Sequence, residues 1–175
     1  LFRAVAVDGV LVFGTFPFWA NHLATHGMGA TREAGLAVAA FGCGGFLYAA
    51  LAPRLVRQLG TRRMMRLGAA CAALAMLGFA AATAAWAFIA AALLLGLGFF
   101  MLHNTLQTGV TEVAPEARAS AVALHAFHFF LGQAAGPVLA GLLRDQGKLE
   151  AALILAATGL AALGWVMGRA PANAR

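Results

Sequence analysis

The sequence predicts an all-α integral membrane protein with six transmembrane helices, and three observations carry that reading. The first is composition: of 175 residues, 62% are hydrophobic and 10% are charged, and the mean hydropathy is +0.84. A soluble domain usually carries about 25% charged residues, so this chain has too little polar surface to cover a water-facing fold. The second is spacing, because the charges divide the chain into apolar windows of membrane-crossing length. The third is the sidedness of the basic residues. Together these exclude a soluble enzyme, a disordered tail and a nucleic-acid-binding module. A pI near 11.1 does not reopen the last class, since charges separated by lipid-embedded helices cannot form one broad patch.

A membrane helix needs about 20 apolar residues, because a hydrocarbon core about 30 Å thick is crossed at roughly 1.5 Å per residue. Asp8 and Arg32 enclose 23 uncharged positions, and Glu33 and Arg54 enclose 20. Arg66 and Glu112 enclose 45, too many for one helix and suited to a hairpin of two. Arg118 to Arg144 encloses 25, and Glu150 to Arg169 encloses 18. The long window turns best within Ala80–Trp86, where the Trp86 ring suits the headgroup level. The predicted spans are 8–28, 34–54, 65–82, 86–111, 119–143 and 150–168, forming a single bundle.

Six spans put both termini on one side, with the loops after spans 2 and 4. That side collects Arg3, Arg54, Arg57, Arg62, Arg63, Arg66, Arg118, Arg169 and Arg175, against Arg32, Arg144 and Lys148 on the other. Basic residues favour the cytoplasmic side, so both termini are expected in the cytoplasm of a multi-pass protein of the plasma (inner) membrane. Cys43 and Cys71 fall inside apolar runs and read as small apolar fillers. The chain begins at Leu1 without a recognisable signal peptide, and is expected to be part of something longer.

Two motifs carry a family resemblance. In the loop Ala52–Arg66, Gly60, Arg62 and Arg63 fit a pattern of Gly, three residues, Asp-Arg, one residue and Gly-Arg-Arg, with Pro53 at the first Gly position and Arg57 at the Asp position. In span 5, Gly132-Gln-Ala-Ala-Gly136-Pro137-Val-Leu-Ala140-Gly141 is similar to Gly-x-x-x-Gly-Pro-x-x-Gly-Gly. Both resemble the major facilitator superfamily of transporters. A weak internal repeat agrees: Asn21–Thr25 resembles His103–Thr108, and Arg57–Gly60 resembles Arg144–Gly147. The resemblance implies a 3+3 inverted repeat of helices, forming the C-terminal half of a twelve-helix transporter whose N-terminal six-helix half is missing. Gly60, Arg62, Arg63, Glu112, Arg118, Gly132, Gly136, Pro137 and Gly141 would then serve gating and close helix packing. Topology signalling and simple packing account for the same residues without a gate.

Polar groups inside a membrane are costly and mark candidate sites. On span 4, His103, Asn104, Gln107, Thr108 and Thr111 share one helical face. By resemblance, spans 1 and 4 line the cavity, which adds Asp8, Thr15, Asn21 and His22. Span 5 adds His125, His128 and Gln133. Measured along the helices at about 1.5 Å per residue, His103, His125 and His128 fall at one depth, where imidazoles can relay protons or simply hydrogen-bond between helices. Asp8 is expected to start its helix, favoured there by the dipole, with a coupling-proton site as the alternative, and Glu112 to pair with Arg118 or with an Arg of the 54–66 loop.

The functional expectation is a secondary active transporter, not an enzyme. Its substrate would be a small amphipathic or weakly charged solute, since the walls are rich in Ala and Phe with few charges; the Gly-Pro motif leans toward efflux, and the family toward proton coupling. No cofactor or metal is called for. The alternative is a six-span haem- or metal-binding subunit using His103, His125 and His128. The single serine, Ser120, lacks flanking glycines, and neither a paired-acid motif nor His-Glu-x-x-His is present.

Overall fold

In the computed structural model, residues 1–113 and 115–169 are described; Arg175, counted above among the basic residues, lies outside them. Helix α1 covers Phe2–Phe13 and α2 Trp19–Thr25, with a short 3-10 turn at Phe16–Phe18 between them. Helices α3 (Thr31–Ala81), α4 (Ala85–Val113), α5 (Arg118–Arg144) and α6 (Leu149–Met167) follow. Among the described residues, five helical stretches are long and apolar enough to cross a membrane, counting α1 and α2 as one.

Helix α3 is 51 residues long and is not straight. Gly44 in its first limb packs on Gly96 of α4, while Gly68 in its second limb packs on Gly98 of the same helix. On a straight helix Gly44 and Gly68 would lie about 36 Å apart; both reach neighbouring points of α4 only because the chain folds back between them. The reversal sits at Gly60, whose φ of 64° and ψ of 171° leave the helical region. That backbone region is essentially restricted to glycine. Glu33 caps the start of α3, its Oε2 accepting the Ala30 N–H at 2.9 Å. Residues 82–84 separate α3 from α4, inside the segment where the sequence predicts a turn, and Trp86 is 75% exposed there.

The first span departs from expectation in two ways. Its helix begins at Phe2 rather than near residue 8, so Asp8 lies inside α1 and does not cap it. A carboxylate is a poor boundary marker when a partner inside the bundle compensates its burial. The helix also breaks after Phe13, where Pro17 removes a backbone donor.

Close approach of backbones organises the rest. A Cβ on Gly132 would strike the carbonyl of Ala6, and one on Gly136 would strike Val10 and Gly14, so α5 lies directly on α1. Lipid gives helices no hydrophobic reason to associate, and small residues that admit backbone contact supply the dispersion energy instead. Around this seam Phe13, Phe16, Phe41, Phe99 and Phe129 form an aromatic cluster in edge, tilted and stacked contacts of 4.9–6.0 Å. Trp19, Phe79 and Phe88 form a second at the far end of the bundle. The ends are distinguishable: Gly60, Thr61 and Glu112 line one cavity at one, and Arg66 Nη2 donates to the Gly168 carbonyl at 2.7 Å on the same side.

Candidate functional site

Three helices bring ionisable groups together in the interior. Asp8 of α1 is 0% exposed. Its Oδ2 lies 2.9 Å from Nδ1 of His103 on α4, and Nε2 of His103 lies 3.2 Å from Nε2 of His125 on α5. When Asp8 is ionised its Oδ2 accepts from His103 Nδ1–H, and when it is protonated Oδ2–H donates to Nδ1. The second bond needs one hydrogen between two ring nitrogens, supplied from either side. With one proton beyond the neutral imidazoles, the excess positive charge is shared by the rings and balances Asp8. Without it, the cluster carries the carboxylate's negative charge. Phe99 stacks on His103 at 4.9 Å and Phe129 lies 4.4 Å from it; these walls strengthen each electrostatic term by excluding water.

The cluster is incomplete at both ends. Among the described residues, Asp8 Oδ1 and His125 Nδ1 are buried without a hydrogen-bond partner. Buried unpaired polar atoms cost free energy, and native structures retain few of them without a reason.

The structure brings together two of the three histidines expected at one depth. His128 instead donates Nδ1–H to the Leu124 carbonyl at 2.8 Å and stacks on Phe2 at 5.2 Å. The three-histidine haem or metal constellation is therefore not assembled, and among the described residues no group of three His, Cys, Asp or Glu is placed to hold a metal ion.

Part of the polar face of α4 meets α3. Asn104, Thr108 and Glu112 line a cavity of about 80 Å³ with Tyr48, Gly60 and Thr61. Tyr48 and Asn104 also border a wider cavity of about 400 Å³ walled by Gly42, Gly45, Phe46 and Phe100. Thr108 bonds back to the Asn104 carbonyl at 2.9 Å and Thr111 to the Thr108 carbonyl at 2.8 Å. Gln107 and Gln133 are half-buried. Glu112 forms no ion pair among the described residues, which corrects the expected bridge to Arg118 or to the 54–66 arginines; Arg62, Arg63 and Arg118 are exposed. Gly132 and Gly136 sit in the α1–α5 seam, with Pro137 next to it within α5, and Gly141 lies against Phe18. Asn21 is exposed at the far end, and His22 is buried beside it.

Sequence reasoning missed one functional candidate and misplaced another. Tyr48, the chain's only tyrosine, is buried within an apolar window, and its rarity was the available signal. Asp8 was named as cavity-lining but placed at a helix start, although Arg3 was the more economical boundary: an Asp five residues inside a helix that starts near an Arg signals a buried acid seeking a partner.

Comparison with known proteins follows the same lines. The family described as Major Facilitator Superfamily matches residues 1–174. An uncharacterized MFS-type transporter, YfkF of Bacillus subtilis (strain 168), is 30% identical over 95 residues, which is 54% of this chain and 24% of that relative. The matched stretch is thus about a quarter of the relative's length.

Proposed function

The chain belongs to the Major Facilitator Superfamily, and on that premise we propose that it is the C-terminal half of a secondary active transporter. It exports a small amphipathic or weakly charged solute and couples that movement to protons. Six helices arranged as a 3+3 inverted repeat pack against an N-terminal half of the same protein, in the plasma (inner) membrane with both termini cytoplasmic. The fold-back of α3 at Gly60 supports counting it as two spans. The concentration of Arg at the Gly60 end supports the orientation.

The observation that carries the coupling is the buried Asp8–His103–His125 chain. A bare carboxylate sealed among aromatic rings is costly, and a proton entering the cluster neutralises it. Alternating access then follows if the charge of this cluster changes how α1 and α5, joined through glycines, seat against α4. Asn104, Gln107, Thr108, Asn21, His22 and Gln133 bind or line the pathway. Gly60, Arg62, Arg63, Glu112 and Arg118 form the cytoplasmic gate, and Gly132, Gly136, Pro137 and Gly141 the seam on which it moves.

Proteoliposomes of the full-length protein with ethidium as the probe test this. An imposed pH gradient should drive ethidium accumulation in the native protein. Asp8→Asn and His103→Gln should reduce gradient-driven accumulation at least tenfold while leaving ethidium counterflow intact, and His128→Gln should change neither. Equal gradient-driven accumulation in Asp8→Asn overturns proton coupling through this cluster. Absence of both accumulation and counterflow in the native protein removes ethidium-like solutes from the substrate class.

A further inference from the structure

His26 follows α2 at the end of the bundle away from Gly60, and its ring stands between two oxygens. Nδ1 lies 2.8 Å from the His22 carbonyl oxygen, and Nε2 lies 3.1 Å from Oε1 of Glu150 in the first turn of α6. A backbone carbonyl has no proton to give, and an ionised carboxylate only accepts. Both bonds exist together only when both ring nitrogens carry hydrogen, which is the imidazolium form.

Loss of one proton must therefore break one bond, and geometry selects which. The Nδ1 contact lies within one helical turn and shares its nitrogen with Thr25 Oγ1 at 3.2 Å. The Nε2 contact joins residues 124 positions apart and holds two exposed side chains in place, so it carries the larger ordering cost. A neutral ring that keeps its Nδ1 hydrogen turns a lone pair toward the Glu150 carboxylate, and that arrangement repels.

The segments joined by this contact are turns shaped by glycines. The turn after α2 contains Gly27 at φ 67° and Gly29 at φ 99°, and the turn before α6 contains Gly147 at φ 71°. Charged neighbours on these elements are largely engaged elsewhere. Lys148 donates to Gln146 at 3.2 Å, Asp145 pairs with Arg144 at 3.0 Å, and Glu33 accepts from the Ala30 N–H. Arg32 is exposed beside Glu33 at the start of α3. From α2 itself the buried His22 ring approaches His26 at 4.3 Å, and two imidazolium rings at that distance repel, so the site is built for one proton.

We infer that His26 and Glu150 form a proton-operated latch that ties the α2–α3 turn to the start of α6 in acid and releases it as the imidazole loses its proton. This contact is separate from the Asp8 cluster and does not rest on the transport reading proposed above.

Electron–electron distance measurements on the full-length protein test the latch. Spin labels go on Ala30→Cys and Gln146→Cys, with Cys43 and Cys71 replaced by Ala. From pH 5 to pH 8.5 the short-distance population should fall, its ratio to the long one changing by up to about tenfold per pH unit, the limit for one linked proton. His26→Gln and Glu150→Gln should each remove the pH dependence, whereas His22→Gln should keep it. A distance distribution independent of pH in the otherwise native protein, or a transition that survives His26→Gln, overturns the latch. The readout is a distance, so failure of transport leaves this result standing, and failure of the latch leaves the transport reading untouched.

Discussion

The molecule contains the same chemical pair twice, a histidine against a carboxylate, in opposite surroundings. Asp8 and His103 meet at 2.9 Å with side chains 0% and 13% exposed. His26 and Glu150 meet at 3.1 Å with side chains 40% and 54% exposed. Distance hardly separates them; access to water does. The exposed pair can part and let solvent take each partner, so a proton decides only whether two turns stay together. The buried pair cannot part without leaving a charge among phenylalanines, so a proton there bears on the arrangement of three helices. One contact is suited to holding an edge of the bundle, the other to storing charge within it.

The comparison is broken most forcefully at the buried pair. Removing one partner leaves an uncompensated buried group, which typically costs about 3–5 kcal/mol. Asp8→Ala and His103→Ala should each show that loss in denaturant unfolding of the detergent-solubilised protein. The double replacement Asp8→Leu with His103→Leu should recover most of it, because a buried ion pair exchanged for apolar residues is often neutral, yet it should not transport protons. A single Asp8→Ala variant as stable as the native protein would mean that the pair does not balance a buried charge.

A second contrast divides the glycines. Gly132 meets the backbone of Ala6, whereas nothing stands within 4 Å of the position a Cβ would take on Gly35. Gly132→Ala must push α5 off α1, an overpacking cost of about 1–3 kcal/mol, and should broaden the distance distribution between labels on the two helices. Gly35→Ala gains helix propensity of about 0.5–1 kcal/mol with no clash. One substitution type should therefore give opposite signs in thermal unfolding at the two sites.

Much of this arrangement was legible in the sequence. Charge-bounded windows located α4, α5 and α6 to within a few residues, because lipid imposes a length and a charge interrupts it. Small residues one turn apart at Gly132 and Gly136 signalled a close helix contact, and the crossing itself lies there. The same charge rule failed at Asp8, since a pairing partner almost a hundred residues away is invisible to a local window. It also missed the break at Phe16–Phe18, where the strong apolar signal of the flanks masked Pro17. The His103–His125 contact was half visible: depth along each helix is readable, but the rotation that turns His125 inward and His128 outward depends on packing against α1. His26 and Glu150 gave no local signal, because nothing in either turn names its counterpart.

The smallest effect belongs to the exposed pair, and salt separates it from the buried one. Exposed ion pairs contribute about 0.2–1 kcal/mol, so Glu150→Gln should lower unfolding stability at acid pH by no more than that. Once the imidazole is neutral it should change nothing, because the bond that needs the second ring hydrogen has already been lost. At about 1 M salt the screening length falls to roughly 3 Å, so the acid-side difference between Glu150→Gln and the native protein should vanish. The Asp8→Ala deficit should persist under the same salt, since ions do not enter the aromatic cage around His103. If both deficits vanish together, water reaches Asp8 and the distinction between the two pairs collapses. If neither vanishes, the His26–Glu150 contact is held by something more than charge.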